Sequence, residues 1–245
     1  MINKVKKIIQ LLEIIKHPKG GIKYIFSKGI SISSFNLNSI LSNYIHELKT
    51  IIDVGANIGQ YALASSIFYP ISNIYCFEPL PEAYQKLRNN TKHYKNIKIY
   101  NIALGDRKGS LNFYQNEHSH SSSALKISEE QIKNFPETRN IKTINVTVER
   151  LDEFSNSIII ERPVLLKLDV QGYEKKVLDG AKDFLKNIDY LLFETSFVEM
   201  YNEEPLFDEM HTIVKNYGFK LLAPVGFLKG NGSQIMQMDV LYEKK

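Results

Sequence analysis

The segment from Thr50 to Tyr61, TIIDVGANIGQY, constrains the fold of this chain more than any other. A short apolar run reaches Asp53, glycines follow at positions 55 and 59, and a helix-forming stretch comes next. This order predicts a strand, a tight turn and a helix, since glycine permits a sharp turn and a close approach of backbone to ligand. The first free N–H groups of the helix would point at a molecule above the strand end. We therefore expect a nucleotide-like ligand here, with Asp53 holding the turn and meeting a cationic or hydroxyl-bearing group.

From Thr50 onward, short apolar runs alternate with helical segments, which is typical of a parallel sheet with crossover helices. The last two strands lie in a hairpin-like arrangement, so the pattern predicts an α/β, Rossmann-like sheet of seven strands with the last one antiparallel and helices on both faces. An accessory strand is expected at 144–148. The main strands are predicted at 50–53, 74–77, 97–102, 164–169, 190–194, 219–222 and 238–242, and the helices at 59–68, 81–94, 128–134, 175–178, 181–186 and 206–217.

Length and composition narrow the class of protein. The 245 residues suit one domain with an accessory piece, so we expect an N-terminal helical extension, residues 1–49, before a catalytic domain, residues 50–245. The net charge of +4 is small, and Lys and Arg are interspersed with Asp and Glu, which disfavours a nucleic-acid partner. Cys76 lies in an apolar run and is expected to be a buried thiol. With no signal peptide and no apolar run of about 20 residues, a cytoplasmic protein without a transmembrane segment is expected.

The N-terminal extension contains a predicted amphipathic helix over residues 2–16, ended by Pro18 and two glycines. Its apolar positions, at helical spacing, are Val5, Ile8, Ile9, Leu12 and Ile15. An apolar face of this kind is expected to dock on the catalytic domain or on a second subunit of a homo-oligomer. The alternative is a basic helix in peripheral contact with a membrane surface. A second helix is predicted from Leu37 to Leu48.

A polar insertion interrupts the α/β pattern between residues 115 and 140. It contains His118, His120 and the run Ser121 to Ser123. Insertions of this length in α/β domains commonly form a lid or a substrate loop. One interpretation has a histidine supplying a base and the serines contacting a polyhydroxylated acceptor, and the other has the loop simply solvated.

The turn itself indicates which nucleotide is bound. A dinucleotide fingerprint reads G-x-G-x-x-G, whereas here Asn57 stands between Gly55 and Gly59, which leaves less room for a pyrophosphate. Glu78 ends the second predicted strand, and its two carboxylate oxygens can accept from both hydroxyls of a ribose. A nucleoside with an amino-acid tail therefore fits better than a nicotinamide dinucleotide.

Residues 51–222 resemble the FkbM-type S-adenosylmethionine-dependent methyltransferases. The resemblance is carried, in order, by IIDVGANIGQY, CFEPLPEAYQKLRNN, NIALGDRKGSLNFY, LLKLDVQGYEKKVLDGA and LLFE. It implies S-adenosyl-L-methionine as cofactor, with Glu78 and the adjoining Pro79 at the ribose and Asp106 of the ALGD turn at the adenine amino group. The same resemblance places Asp53, Gly55, Asn57 and Gly59 along the methionine and ribose side.

Methyl transfer to a hydroxyl needs alignment of the reacting atoms and a base. The fourth strand lies beside the first in such a sheet, so Asp169 at its end is predicted to be the base or the residue that orients the hydroxyl, with Glu174 as a second hydroxyl contact. The alternative is that Asp169 caps the helix that follows. Together with Glu194, these carboxylates could also hold a divalent metal that binds a diol.

The polar insertion points to a hydrophilic acceptor. The resemblance implies O-methylation of a sugar hydroxyl, in a saccharide or glycan, or of a similar small alcohol. Two other functions compete with this one. A nicotinamide-dependent oxidoreductase is disfavoured by the G-x-N-x-G turn and by the lack of a Tyr-x-x-x-Lys segment after the fourth strand, and a non-catalytic module would use the N-terminal helix to recruit a partner.

Overall fold

The fold was analysed in a computed structural model that describes residues 11–27, 29–116, 122–230 and 233–245. Strands and helices alternate along most of it, as predicted. The helices are α1 Gly21–Phe26, α2 Ile32–Tyr44, α3 Gln60–Phe68, α4 Pro81–Thr91, α5 Glu129–Asn134, α6 Glu174–Asp179 and α7 Phe207–Asn216. The strands are β1 Thr50–Val54, β2 Asn73–Phe77, β3 Ile97–Tyr100, β4 Ala103–Leu104, β5 Gly109–Asn116, β6 Ile141–Glu149, β7 Val164–Leu168, β8 Tyr190–Ser196, β9 Phe219–Lys229 and β10 Ile235–Lys244.

The main sheet has the strand order β3-β2-β1-β7-β8-β10-β9. Strands β3, β2, β1, β7 and β8 pair in parallel, and β10 runs antiparallel to both of its neighbours. This confirms the predicted seven-stranded sheet with its last strand antiparallel. Strands β9 and β10 are longer than predicted, because their hairpin pairing continues past the apolar stretches to Lys229 and Ile235.

The centre of the sheet is buried on both faces. Every residue of β1 and of β7 is buried, as expected of strands that helices cover on two sides. One hydrophobic core, with Val54, Leu168 and Phe193, fills one face, and a second core, with Ile51, Leu165 and Cys76, fills the other. The Cys76 thiol is buried, as predicted. This packing fixes the ends of β1 and β7 side by side.

The accessory strand predicted at 144–148 belongs to a separate three-stranded sheet with the order β4-β6-β5. It runs over Ile141–Glu149 and pairs antiparallel with β5. The short helix near 128–134 is confirmed as α5, where the Ser128 side chain accepts a hydrogen bond from Gln131 N. The helix predicted at 181–186 is wrong, since the chain there forms a single 3₁₀ turn at Phe184–Asn187.

The N-terminal segment differs from its prediction in two respects. Of the helix predicted at 2–16, only residues 11–16 are described; they are helical, but Ile14 is the buried residue while Leu12 and Ile15 are 52% and 37% exposed. The second helix begins at Ile32 rather than at Leu37, because the Ser31 side chain caps it by accepting from Ser34 N at 3.0 Å. Across the described residues, no helix has the length and apolar character needed to cross a membrane.

Helix α2 packs into the same core as the main sheet. Phe35 and Leu41 are buried against residues of α3 and β1, and Asn38 accepts a hydrogen bond from Ser65 of α3 at 2.9 Å. This contact brings the start of α2 to the edge of the sheet where β1 ends. Residues that precede the sheet in sequence therefore reach the site described next.

Candidate functional site

A cavity of about 430 Å³ opens at the carboxyl ends of β1 and β7. The chain leaves β1 towards β2 on one side of the sheet, whereas β7 continues towards β8 on the other, so the strand order reverses here. Open α/β sheets bind their ligands at such a point. The cavity wall is formed by the turn after β1, the ends of β2, β7 and β8, the first half of α2 and the β9–β10 pair.

The glycine turn after β1 is shaped by the strand beside it. Gly55 has φ +78°, and a Cβ atom built there would lie 1.9 Å from the carbonyl oxygen of Asp169. Only glycine fits this approach. Gly55 N and Ala56 N both donate to Phe77 O at 3.0 Å, which ties the turn to the end of β2. Asn57 also has a positive φ, +48°, and lines the cavity, whereas Gly59 starts α3 from φ +88° and lies outside the cavity wall.

Glu78 joins the ends of β1 and β2. Its Oε2 accepts from Asn57 N and its Oε1 accepts from Leu80 N, each at 2.8 Å, and the residue is 4% exposed. Burial raises the pKa of its carboxyl to about 7, although the two backbone N–H groups oppose this. Glu78 and Pro79 both line the cavity, so an acceptor of hydroxyl hydrogens is available at this end.

The wall beyond Glu78 is apolar. It is lined by Leu80, Ile102, Ala103 and Leu104, which we call the apolar slot and whose side chains can pack against a ring. Asp106, predicted to meet an adenine amino group, is not brought to this wall. Its carboxylate accepts from Lys176 Nζ at 2.8 Å, and that hydrogen bond lowers its pKa.

Asp53 lies beneath the cavity and not in its wall. It is fully buried, and its Oδ1 accepts from Lys167 Nζ at 2.9 Å, because the two residues are paired in the register of β1 and β7. Burial would lower the pKa of Lys167, but the carboxylates of Asp53 and Asp169 outweigh burial and raise it. The buried ion pair therefore keeps the Lys167 ammonium charged at the floor of the cavity.

Three carboxylates line the end of the cavity opposite the apolar slot: Asp169, Glu194 and Asp239. The Asp169 side chain is 46% exposed and lies 3.4 Å from Lys167 Nζ. Asp239 on β10 is the register partner of Glu194 on β8. Burial, then the charge of Asp169, raises the pKa of Asp239 to about 6, and burial with both neighbouring carboxylates also raises the pKa of Glu194. This end of the cavity attracts positive charge and can take up a proton.

Of the two predicted catalytic carboxylates, only Asp169 faces the cavity. Glu174 is buried, its Oε1 accepts from Val170 N at 3.0 Å, and burial raises its pKa to about 8. It braces the turn after β7 and is absent from the cavity wall. The alternative role of Asp169 as a helix cap is not realised, since α6 starts after Tyr173 without a side-chain cap.

Sequence reasoning missed two residues of this end of the cavity, Asp239 and Gln171. Gln171 lines the cavity and donates to both Asp169 and Glu194. One sign of a role for Asp239 is present in the sequence, since it is a lone acidic residue in the apolar strand MDVLY. Its position opposite Glu194 requires Gly226 on β9, where a Cβ atom would lie 2.2 Å from Asp239 Oδ2.

The structure tests the predicted metal site and describes part of the polar insertion. Among the described residues, no group of three or more His, Cys, Asp or Glu side chains is arranged to hold a metal ion. His118, His120 and Ser121 lie outside the described residues. Ser122 lines the cavity, and the buried Ser123 donates from Oγ to Gln171 O at 2.6 Å. The end of the insertion thus reaches the carboxylate end of the cavity.

Taken together, the two ends of the cavity fit a cationic nucleoside. A ribose diol matches the acceptor oxygens of Glu78, and a planar base matches the apolar slot at Leu80 and Ile102. A positively charged tail matches the end with Asp169, Glu194 and Asp239, where Lys167 is the one cation that the described part of the wall contributes. S-adenosyl-L-methionine has all three parts.

Comparison with known proteins gives a family match. The family described as methyltransferase FkbM domain matches residues 53–221. The chain is 27% identical over 157 residues to 2-O-methyltransferase NoeI of Sinorhizobium fredii, covering 62% of this chain and 65% of that protein. It is 28% identical over 143 residues to hexuronic acid methyltransferase AglP of Haloferax volcanii, covering 58% and 54%. Both alignments span somewhat less than two thirds of the relative's length.

A third relative is covered more fully. The chain is 24% identical over 200 residues to 31-O-demethyl-FK506 methyltransferase FkbM of Streptomyces tacrolimicus, covering 71% of this chain and 73% of that protein. Among solved structures, the magnesium protoporphyrin IX methyltransferase of Synechocystis is 9% identical with a TM-score of 0.48, covering 98% of this chain and 91% of that one.

Proposed function

Because the chain belongs to the FkbM-domain methyltransferase family, we propose that it transfers a methyl group from S-adenosyl-L-methionine to a hydroxyl of a saccharide or a related small polar acceptor. One observation carries this proposal. A single cavity has Glu78 and an apolar slot at one end and the carboxylates of Asp169, Glu194 and Asp239 at the other.

Glu78 and the apolar slot hold the nucleoside part of the cofactor in the proposed complex. When bound, S-adenosyl-L-methionine supplies a methyl group activated on a positively charged sulfur. Glu78 contributes acceptor oxygens for the two ribose hydroxyls, and its bonds from Asn57 N and Leu80 N keep those oxygens in place before binding. Gly55 lets the end of β7 approach the turn closely, which brings Asp169 beside the bound cofactor in this proposal.

Asp169 orients the acceptor hydroxyl and takes its proton in this proposal. It lies at the end of β7 beside the turn after β1, and Asp169 N donates to Val54 O at 3.0 Å, which fixes its backbone next to that turn. Its side chain is exposed to the cavity rather than packed away. Glu194 and Asp239 lie beside it, and burial raises the pKa of both carboxyl groups. The pKa of Asp239, about 6, suits a group that exchanges protons near neutral pH. Alignment of the reacting atoms and removal of this proton are what the transfer requires of the protein.

The proposed acceptor class rests on the remaining wall and on the relatives. Neutral polar side chains line the cavity as well, and they suit a molecule with several hydroxyls: Ser33, Ser34 and Asn36 of α2, Gln60 and Ser122. NoeI is a 2-O-methyltransferase by name, and AglP is a hexuronic acid methyltransferase by name. A saccharide hydroxyl agrees with both lines of support.

Four further properties belong to this proposal. The chain is divided into an extension, residues 1–49, and a catalytic domain, residues 50–245. The protein is cytoplasmic, it forms a homo-oligomer, and its N-terminal helix makes a peripheral contact with a membrane. Roles for Asp53 and Gly59 are proposed here as support of the turn, and Glu174 as support of the loop that carries Asp169.

Calorimetric titration tests the proposed cofactor. S-adenosylhomocysteine should bind the protein with one site, and Glu78→Gln should weaken that binding. The control is Glu82→Gln, the same substitution on an exposed residue of α4, which should leave binding unchanged. Tight binding of a nicotinamide dinucleotide with no binding of S-adenosylhomocysteine would contradict the proposal.

A further inference from the structure

Gln171 has an unusual backbone for a residue with a long side chain. It lies in the turn after β7, three residues beyond Leu168, and has φ +56°, in the left-handed region. Such a backbone costs a non-glycine residue about 1–2 kcal/mol. Gly172 beside it is also left-handed, at φ +90°. A glutamine at this strained position is therefore informative, since glycine would fit its backbone better.

The side chain of Gln171 makes contacts that glycine could not. Its Nε2 donates to Asp169 Oδ1 at 3.0 Å and to Glu194 Oε2 at 2.9 Å. Its Oε1 accepts from the hydroxyl of Tyr201 at 2.5 Å. One amide thus spans the ends of β7 and β8 and the loop that follows β8.

The orientation of this amide follows from the chemistry of its partners. Asp169 and Glu194 each present a carboxyl oxygen that accepts a hydrogen bond, Oδ1 and Oε2, so the NH₂ end faces these two residues. The Tyr201 hydroxyl has a proton to donate, so it must face the amide oxygen. Tyr201 is 1% exposed, which holds its hydroxyl in one place. The two hydrogens of the NH₂ group are then directed one to each carboxylate.

The backbone of Gln171 connects the insertion to the same arrangement. Ser123, which is fully buried, donates from Oγ to the Gln171 carbonyl at 2.6 Å. Ser123 also pairs with Tyr114 of β5 through two backbone hydrogen bonds of 2.7 and 3.2 Å. The second sheet, the insertion and the carboxylate end of the cavity are thereby linked at one residue.

We propose that Gln171 is a positioning residue that holds the carboxylates of Asp169 and Glu194 at a fixed spacing beside the acceptor hydroxyl. Without its NH₂ group, the two carboxylates lose the donor that they share and that sets their spacing. Glu194 then keeps its hydrogen bond from Gln237 Nε2 at 3.1 Å, and Asp169 keeps its ion pair with Lys167 at 3.4 Å. The inference rests on the proposed methyl transfer. It adds a residue that touches neither reacting atom and acts through Asp169 and Glu194.

The test substitutes Gln171 by Gly and by Glu. Gln171→Gly relieves the backbone and removes the amide, whereas Gln171→Glu keeps the shape and replaces the NH₂ donor by a carboxylate oxygen. Both variants should lower kcat for methyl transfer by about 10²-fold, the loss expected from misplaced catalytic groups. The Kd for 5′-methylthioadenosine, a nucleoside with a neutral tail, should stay within about threefold of the wild type, because the contacts at Glu78 are untouched.

A pH profile separates positioning from a merely structural role. Glu194 is faced by the titratable groups of Asp169, Glu174, Tyr201, Glu204 and Asp239. Lys167 faces Asp169 and Asp239. Loss of the NH₂ donor raises the proton affinity of both carboxylates, and a further carboxylate at position 171 raises it more. The acid limb of the kcat profile should therefore move to higher pH in Gln171→Gly and further in Gln171→Glu.

Glu203→Gly is the matched control. Glu203 also has a left-handed backbone, φ +65°, but it is exposed and lies outside the cavity wall. This variant should keep the kcat and pH profile of the wild type. Wild-type kcat and an unshifted profile in both Gln171 variants would overturn the inference. Failure of the wild type itself to bind S-adenosylhomocysteine would instead overturn the proposed function, which keeps the two failures distinct.

Discussion

Glu78 should make nucleoside binding depend on pH around neutrality. Its carboxyl is buried at the ends of β1 and β2, and burial raises its pKa to about 7 from an ordinary value of 4.5. At 1.36 kcal/mol for each pH unit, ionising this buried group costs the folded protein about 3 kcal/mol more than ionising an exposed glutamate. Ribose hydroxyls donate to an ionised carboxylate, so binding favours the ionised form.

The magnitude follows from this pKa. Above pH 8 the carboxylate is ionised before binding, and affinity should not depend on pH. At pH 6, about nine tenths of the Glu78 groups carry a proton that binding must displace, so affinity should be about tenfold weaker. The same shift makes the contribution of Glu78 to folding stability largest below pH 4.5. Since the folded state binds the proton more tightly than the unfolded state, that contribution is lost as pH rises to 7.

The assay is calorimetric titration with 5′-methylthioadenosine at several pH values. This nucleoside has the ribose diol and a neutral tail, so the carboxylates near Asp169 contribute little to its pH dependence. Glu78→Gln should bind more weakly by roughly 1.5–3 kcal/mol, the range for a hydrogen bond to a charged group, and should show no change between pH 6 and pH 8. The reasoning fails if the wild type and Glu78→Gln have the same pH dependence, or if Glu82→Gln reproduces the loss.

Three further substitutions probe the supports of the cavity. Gly55→Ala should lower the free energy of unfolding by roughly 1–3 kcal/mol from its positive φ alone, with an added cost from the Cβ contact with the Asp169 carbonyl; urea unfolding measures this, and an unchanged midpoint would be inconsistent with the close approach. Lys167→Met should cost about 3–5 kcal/mol by leaving the buried Asp53 charge unpaired, and adding Asp53→Asn should restore part of it; no recovery in the double variant would argue against the ion pair. Asp169→Asn should reduce kcat by about 10²–10⁴-fold with little change in thermal stability, because the side chain is exposed to the cavity; wild-type turnover would remove Asp169 from the proposed chemistry.

The strand and turn pattern was predictable because it depends on local chemistry. The run into Asp53, the glycine turn at Gly55 and the acidic end of β2 at Glu78 each follow from short-range preferences for strands, turns and burial. Residues that come together through the sheet order were harder to predict. Asp239 is 45 residues from Glu194 in sequence, and only the antiparallel register of β10 places them opposite each other.

Particular hydrogen bonds explain why individual side chains differ from their predicted positions. Asp106 and Glu174 follow strand ends in sequence, which predicted a place at the ligand. Asp106 instead pairs with Lys176 of α6, and Glu174 turns under the loop after β7 to accept from Val170 N. A strand end fixes the neighbourhood of a residue but not the direction of its side chain. The start of α2 at Ile32 was missed because Ser31 lies in a polar, serine-rich stretch, and its capping bond decides the boundary.

Mass spectrometry of a transfer reaction tests whether this protein transfers a methyl group to a saccharide hydroxyl. The protein is incubated with isotopically labelled S-adenosyl-L-methionine and a panel of neutral and acidic saccharides, beside the Asp169→Asn variant as control. We expect the wild type to add one labelled methyl group to an oxygen of at least one saccharide, and the variant to do so far more slowly. Binding of S-adenosylhomocysteine with the label found only on nitrogen or carbon acceptors, or equal transfer by the variant, would contradict this expectation.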